Sequence, residues 1–226
     1  MADRRIVIAL YPGVTHLDFT GPHQLLCRLP GFEVAAASVG GADVAADGLV
    51  FTGLGRLEAI ADCEALIVPG GFGCSEAMND AAFIAEIRRL ATGARYVTSV
   101  CTGSLILGAA GLLKGRRAAC HWAWRNLLTL FGATPDAGRV VRDGDIITGG
   151  GVTAGIDFAL TLAAELTNPE TAQLIQLSLE YAPAPPFDAG RPETAPPSVL
   201  ARAREINRSR LGDRRAQIEQ AARMMA

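Results

Sequence analysis

The run Tyr96-Val97-Thr98-Ser99-Val100-Cys101-Thr102-Gly103-Ser104 constrains this chain more than any other stretch. An apolar, β-branched segment stops at a cysteine. A glycine follows two residues later, and a small-residue helical segment then runs from Leu105 to Leu113. That is the sequence form of a buried strand, a tight turn and a helix, with a thiol at the bend. It matches a nucleophile elbow with cysteine in the serine position, although Ser99 stands where that motif has its first glycine. The turn is expected to push the sulfur out of the sheet, and the N-terminus of the next helix favours negative charge beside it. Both effects predict an exposed, reactive thiolate rather than a buried core thiol.

The same alternation recurs along the chain. Ile6 to Leu10 is a continuous apolar run, the form of a strand buried on both faces. Tyr11-Pro12-Gly13 turns away from it, and a helical stretch begins near His16-Leu17-Asp18. Phe32 to Val39 reads as a second strand, and Leu66 to Val68 as a third that ends in Pro69-Gly70-Gly71-Phe72-Gly73. Asn79 or Asp80 caps a helix with Phe83, Ile84, Ile87 and Leu90 at helical spacing, closed by Gly93. Asp47-Gly48 and Asp143-Gly144 mark hairpins. A short strand at Ala118 to Cys120 precedes a helix from His121-Trp122 to about Phe131. Gly149-Gly150-Gly151 leads into a helix over Thr153 to Leu166, and Asn168-Pro169 starts another that reaches about Tyr181.

Ala182 to Pro197 holds six prolines and is expected to be extended loop. Ser198 then caps one final charged helix with sparse apolar positions at Val199, Leu200 and Ile206. Strands alternating with helices predict one α/β domain, residues 1–197, whose mostly parallel sheet is covered on both faces. Residues 198–226 form a helical extension, not an independent domain. In such sheets ligands bind beyond the carboxyl ends of the strands. The loops around Asp18, Gly70-Gly71 and Cys101 all fall at that edge.

Composition removes several functional classes. A net charge of −2 gives no reason to bind a phosphate backbone. The arginines between Arg202 and Arg215 alternate with Glu205, Asp213 and Glu219, the pattern of a solvated helical face. The five cysteines are an odd number without CxxC spacing, and there is no HxxxH, so neither a disulfide frame nor a metal site is expected. Met1 to Arg5 leads straight into an apolar run too short for a signal core. The expectation is a cytoplasmic protein with reduced thiols and neither a membrane nor a nucleic acid as partner.

Cys101 is the candidate nucleophile. Asp18 is either a helix N-cap or a carboxyl facing the thiol, where like charge raises its pKa and lets it carry a proton near neutral pH. Thr102 either starts the helix through its hydroxyl or donates to a substrate atom or relays a proton. Gly70 and Gly71 form either a plain tight turn or an amide nest for developing negative charge. Gly150 and Gly151 allow movement at a helix start beside the site. His121 reads as structural, and no histidine follows Cys101 to make a local Cys-His pair. Cys74, next to the glycine loop, is the least secure of the remaining core cysteines.

Ser99-Val100-Cys101-Thr102-Gly103 with Pro69-Gly70-Gly71 upstream resembles the DJ-1/PfpI superfamily. Leu17-Asp18-Phe19-Thr20-Gly21-Pro22, His121-Trp122, Thr148 to Asp157 and the tail Leu179 to Phe187 narrow the resemblance to its isocyanide-hydrating group. The resemblance implies a flavodoxin-like three-layer sandwich, a homodimer, no metal or organic cofactor, and an isocyanide as the small-molecule substrate. It also implies that Cys101 is the nucleophile, with Asp18 and Thr102 as the polar groups around it. A glyoxalase- or deglycase-like activity, a ligand-sensing regulator and a redox sensor are the competing readings.

Overall fold

The structure, a computed structural model, describes residues 4–212 and 214–225. Asp213, one of the acidic residues of the C-terminal charge pattern, lies outside them, as do Met1 to Asp3 of the N-terminal lead. The central sheet is built from β1 (Arg4–Ala9) and β2 (Phe32–Ser38). A hairpin of β3 (Val44–Ala46) and β4 (Leu49–Phe51) follows, then the short edge strand β5 (Gly55–Arg56). Next in chain order come β6 (Ala65–Val68) and β7 (Tyr96–Val100). The two-residue strands β8 (Arg117–Ala118) and β9 (Thr134–Pro135) pair with each other, and β10 (Val140–Asp143) and β11 (Ile146–Gly149) complete the sheet.

The seven-stranded sheet has the order β10-β11-β7-β6-β1-β2-β5 and is parallel except for the β10–β11 hairpin. This is the α/β architecture expected from the sequence. The chain runs outward from β1 to β2, then returns to the other side of β1 with β6. The loops after β1 and β6 therefore diverge at a topological switch point, where such sheets open a crevice. β6 and β7 are buried throughout: β6 reads as an unbroken apolar run, and the Thr98 and Ser99 hydroxyls of β7 are hydrogen-bonded to the Leu66 carbonyl and Ser104 Oγ.

The helices are α1 (His16–Leu26), α2 (Cys74–Ala77), α3 (Ala81–Gly93) and α4 (Gly103–Ala109). They continue with α5 (Ala154–Leu166), α6 (Pro169–Ser178), α7 (Pro197–Leu211) and α8 (Arg214–Met225). The Asp80 carboxylate accepts from the amides of Ala82 and Phe83, and Asn168 Oδ1 accepts from Thr171, so both predicted caps operate. In the first hairpin Asp47 and Gly48 both have positive φ, as the Asp-Gly signal predicts. In the second, Asp143 pairs with Ile146, so the turn residues are Gly144 and Asp145, one position later than predicted.

Three expectations need correction. The segment after His121-Trp122 is a 3-10 helix over Arg125–Phe131. The helix after the elbow is shorter than Leu113 and stops at Ala109, ahead of a left-handed Gly111. The C-terminal extension is two helices, with Pro196 at the cap position of the first and a break at Gly212. In α7 no residue is buried, and Val199 and Ile206 are exposed. In α8, by contrast, Ile218 and Ala221 are buried against α2, α4 and the 3-10 segment.

Because Ile218 is fully buried at that junction, Ile218→Ala should cost about 3 kcal/mol of stability. A chemical denaturation curve measures this directly, and a shift under about 0.5 kcal/mol, the range of ordinary surface substitutions, would mean that α8 is not docked.

Candidate active site

Cys101 sits at the bend between β7 and α4 with φ 58°, one of three non-glycine residues in the left-handed region among the described residues. Its amide donates to the Gly149 carbonyl across to β11. A strained backbone at a strand-to-helix turn is the geometry a nucleophile elbow needs. Below it, the Ser99 and Ser104 hydroxyls lie 2.8 Å apart, Ser104 donates to the Ala119 carbonyl at 2.6 Å, and the Ala119 amide donates to Thr148 Oγ1 at 2.8 Å. These buried polar groups satisfy one another and tie the elbow to the strand that delivers His121.

Asp18 does not cap a helix. It is the third residue of α1, fully buried, and its Oδ2 accepts from the Gly70 amide at 2.9 Å. Its Oδ1 has no hydrogen-bond partner of ordinary geometry among the described residues. The Cys101 thiol lies near enough to favour the ionised carboxyl, but burial outweighs it, and the Asp18 pKa is pushed up to about 7. The thiol is raised well above its ordinary value, first by burial and then by the Asp18 charge. The expected exposed thiolate is therefore a buried thiol, with 5% of the residue accessible. Burial at this site outweighs the pull of a seven-residue helix. Near neutral pH Asp18 is therefore the group of the two that gains and loses a proton, beside a thiol that stays protonated at rest.

Thr102 does not cap α4 through its hydroxyl either. That hydroxyl accepts from the Gly71 amide at 2.9 Å and donates to the Gly71 carbonyl at 3.1 Å. The two amides expected to form an anion nest are thus engaged, Gly70 with Asp18 and Gly71 with Thr102. The loop after β6 acts as a jig between the α1 carboxyl and the elbow. A Cβ on Gly70 would lie 2.5 Å from the Thr102 amide nitrogen and 2.9 Å from Asp18 Oδ2, whereas one on Gly93 would meet nothing. Gly70→Ala should therefore cut turnover by about 100-fold through misplacement of these groups, while Gly93→Ala should leave it unchanged. Equal rates in the two variants would show that the jig does not matter.

The cavity over Cys101 and Thr102 measures about 460 Å³ and includes Thr15, Asp47, Gly71, Phe72, His121, Trp122, Trp124 and Val152. Phe72 and Trp124 pack edge to face with centroids 6.3 Å apart. Burial lowers the His121 pKa, and its Nδ1 accepts from the Ala123 amide at 3.3 Å, so it is a neutral wall residue. Gly150 and Gly151 lie in a neighbouring cavity of about 270 Å³, separated by His121, Trp122 and Val152. Cys74 is buried beneath the glycine loop with its pKa pushed up to about 12, so it is no second nucleophile.

The remaining wall comes from α7, through Ala203, Asn207 and Arg210. Sequence reading missed this contribution. The residues stand at i, i+4 and i+7, one helical face, but nothing in their types marks a site.

Comparison with known proteins places this arrangement. The profile of the DJ-1/PfpI family matches residues 4–165. The isonitrile hydratase of Pseudomonas putida is 52% identical over 202 residues, which cover 89% of each protein. The crystal structure of a THiJ/PfpI family protein from Pseudomonas syringae superposes with a TM-score of 0.91 at 40% identity, covering 98% of this chain and 91% of that one. The HTH-type transcriptional regulator CdhR of Pseudomonas aeruginosa is 32% identical over 146 residues, 63% of this chain but 42% of the regulator.

Proposed function

We propose that this chain, which belongs to the DJ-1/PfpI family, is an isocyanide (isonitrile) hydratase that converts R–N≡C and water into an N-substituted formamide. The observation that carries the reading is the pairing of a buried thiol with a carboxyl of pKa about 7, in a chain 52% identical to an isonitrile hydratase. The terminal carbon of an isocyanide must accept both a nucleophile and a proton, and this pair holds one of each.

The reaction begins when the Asp18 carboxylate takes the Cys101 proton, giving a thiolate beside a carboxylic acid. The thiolate attacks the isocyanide carbon, forming the C–S bond. Asp18 returns the proton to the same carbon, which leaves the thioimidate R–N=CH–S–Cys101 and an ionised Asp18. Asp18 then removes a proton from water as its oxygen attacks that carbon and passes that proton to the nitrogen, which leaves Asp18 ionised again. Collapse of R–NH–CH(OH)–S–Cys101 breaks the C–S bond, releases R–NH–CHO and restores the thiol. Thr102, fixed by Gly71, accepts from the water with its remaining lone pair, and Gly70 holds the carboxyl in line. Oδ1, which has no partner of ordinary geometry among the described residues, is the atom that exchanges protons.

We read the protein as a cytoplasmic homodimer. Among the described residues no helix is long and apolar enough to cross a membrane. A carbonyl-directed enzyme would use the same thiol, so the test sets an aryl isocyanide against methylglyoxal. Formamide from the first with no loss of the second supports hydration, and the reverse result supports the glyoxalase-like reading. The regulator reading is disfavoured because the C-terminal helices here serve as cavity wall and core packing.

A further inference from the structure

The hydratase reading leaves the R group open, but the cavity walls describe it. The lining is largely aromatic, from Phe72, Trp122 and Trp124. The far wall ends on Arg210, whose guanidinium carbon stands 5.1 Å from the Phe72 ring centroid. Among the described residues no carboxylate lies within ion-pair distance of Arg210, whereas Arg4, Arg89, Arg116 and Arg139, away from this wall, are each paired. Arg204 and Arg208 of the same helix likewise make no ion pair among the described residues, and they line an adjoining groove of about 460 Å³. One acid, Asp47, belongs to the catalytic cavity, but it is exposed at the β3–β4 turn and makes no ion pair with Arg210 among the described residues.

We infer that the substrate is an aryl isocyanide with a carboxylate at the end remote from the isocyanide. This assignment rests on the hydratase reading and specifies its substrate class. The isocyanide carbon lies at Cys101, the ring between the aromatic walls and the carboxylate on the Arg210 fork. Arg210 and Arg214 both lie over the Phe72 ring, at 5.1 and 5.5 Å, and the planar fork of Arg210, the one of the two that lines the cavity, suits two parallel hydrogen bonds to a carboxylate. Arg210 is exposed at the cavity rim, so it attracts an anionic R group, repels a cationic one and gains nothing from a neutral one. The arginines of α7 that make no ion pair among the described residues also favour arrival of an anion at the mouth.

The test compares 4-isocyanobenzoate with 4-isocyanobenzamide, which share shape and differ in charge. The expected ratio of kcat/KM is about tenfold or more in favour of the benzoate, the usual effect of a hydrogen bond to a charged group. It should fall toward unity in Arg210→Gln and remain intermediate in Arg210→Lys. Using the ratio within each variant removes any general loss from a disturbed α7. A ratio at or below unity in the wild type, or one unchanged in Arg210→Gln, overturns the assignment while leaving hydration intact. Absence of formamide from both probes and from phenyl isocyanide removes the hydratase reading, and this assignment with it.

Discussion

Cys101→Ala lowers formamide formation by at least about 10⁴-fold, the scale of removing a nucleophile that works within a unit, while the protein stays folded. The residue lies within a fully formed turn, and alanine keeps the Cβ and the backbone bond to Gly149. The elbow strain at φ 58° is the same for alanine as for cysteine. Thermal melting should therefore shift little. Cys101→Ser should not restore the rate, because a hydroxyl beside an acid of pKa about 7 remains protonated. Retention of more than a tenth of wild-type turnover by Cys101→Ala would exclude covalent catalysis at this position.

Asp18→Asn should slow hydration by about 10³-fold, within the range for loss of a positioned acid–base group. Asparagine can still accept from the Gly70 amide but cannot move a proton. The wild-type pH profile should carry the signature of the pair. Below about pH 7 the second proton occupies Asp18, the carboxylate can no longer accept from the thiol, and kcat/KM falls. That acid limb should disappear in Asp18→Asn.

Stability should move the other way. The carboxyl is raised in the folded state, so its favourable contribution is complete below its ordinary pKa of 3.8 and is lost as pH rises through about 7. Asp18→Asn should therefore gain in melting temperature relative to wild type on going from pH 5 to pH 8. A difference that is flat with pH would mean that Asp18 is not held in the raised state.

The sheet was legible because its strands are buried on both faces and the sequence records this as the runs Ile6–Leu10 and Tyr96–Val100. The elbow was legible because a cysteine between a strand and a helix has few structural uses. The protonation state of Cys101 was not legible, since it depends on burial and on the Asp18 charge brought beside it from far earlier in the chain, neither of which local spacing records. The roles of Gly70 and Gly71 were visible only as a turn. Which amide meets Asp18 and which meets Thr102 depends on how the β1 and β6 loops cross, a long-range register that local spacing does not encode. The break at Gly212 was hidden for a related reason. α8 carries only Ile218 and Ala221 as buried positions, too weak a stripe to separate it from the charged helix before it.

The account rests on a covalent bond between Cys101 and the isocyanide carbon. The most direct measurement mixes wild-type protein with excess aryl isocyanide, quenches within the first turnover and determines the mass of the peptide containing Cys101. The predicted result is a gain equal to one whole isocyanide molecule on that residue, decaying as formamide appears. A Cys101 peptide that stays unmodified while formamide forms at full rate would contradict it.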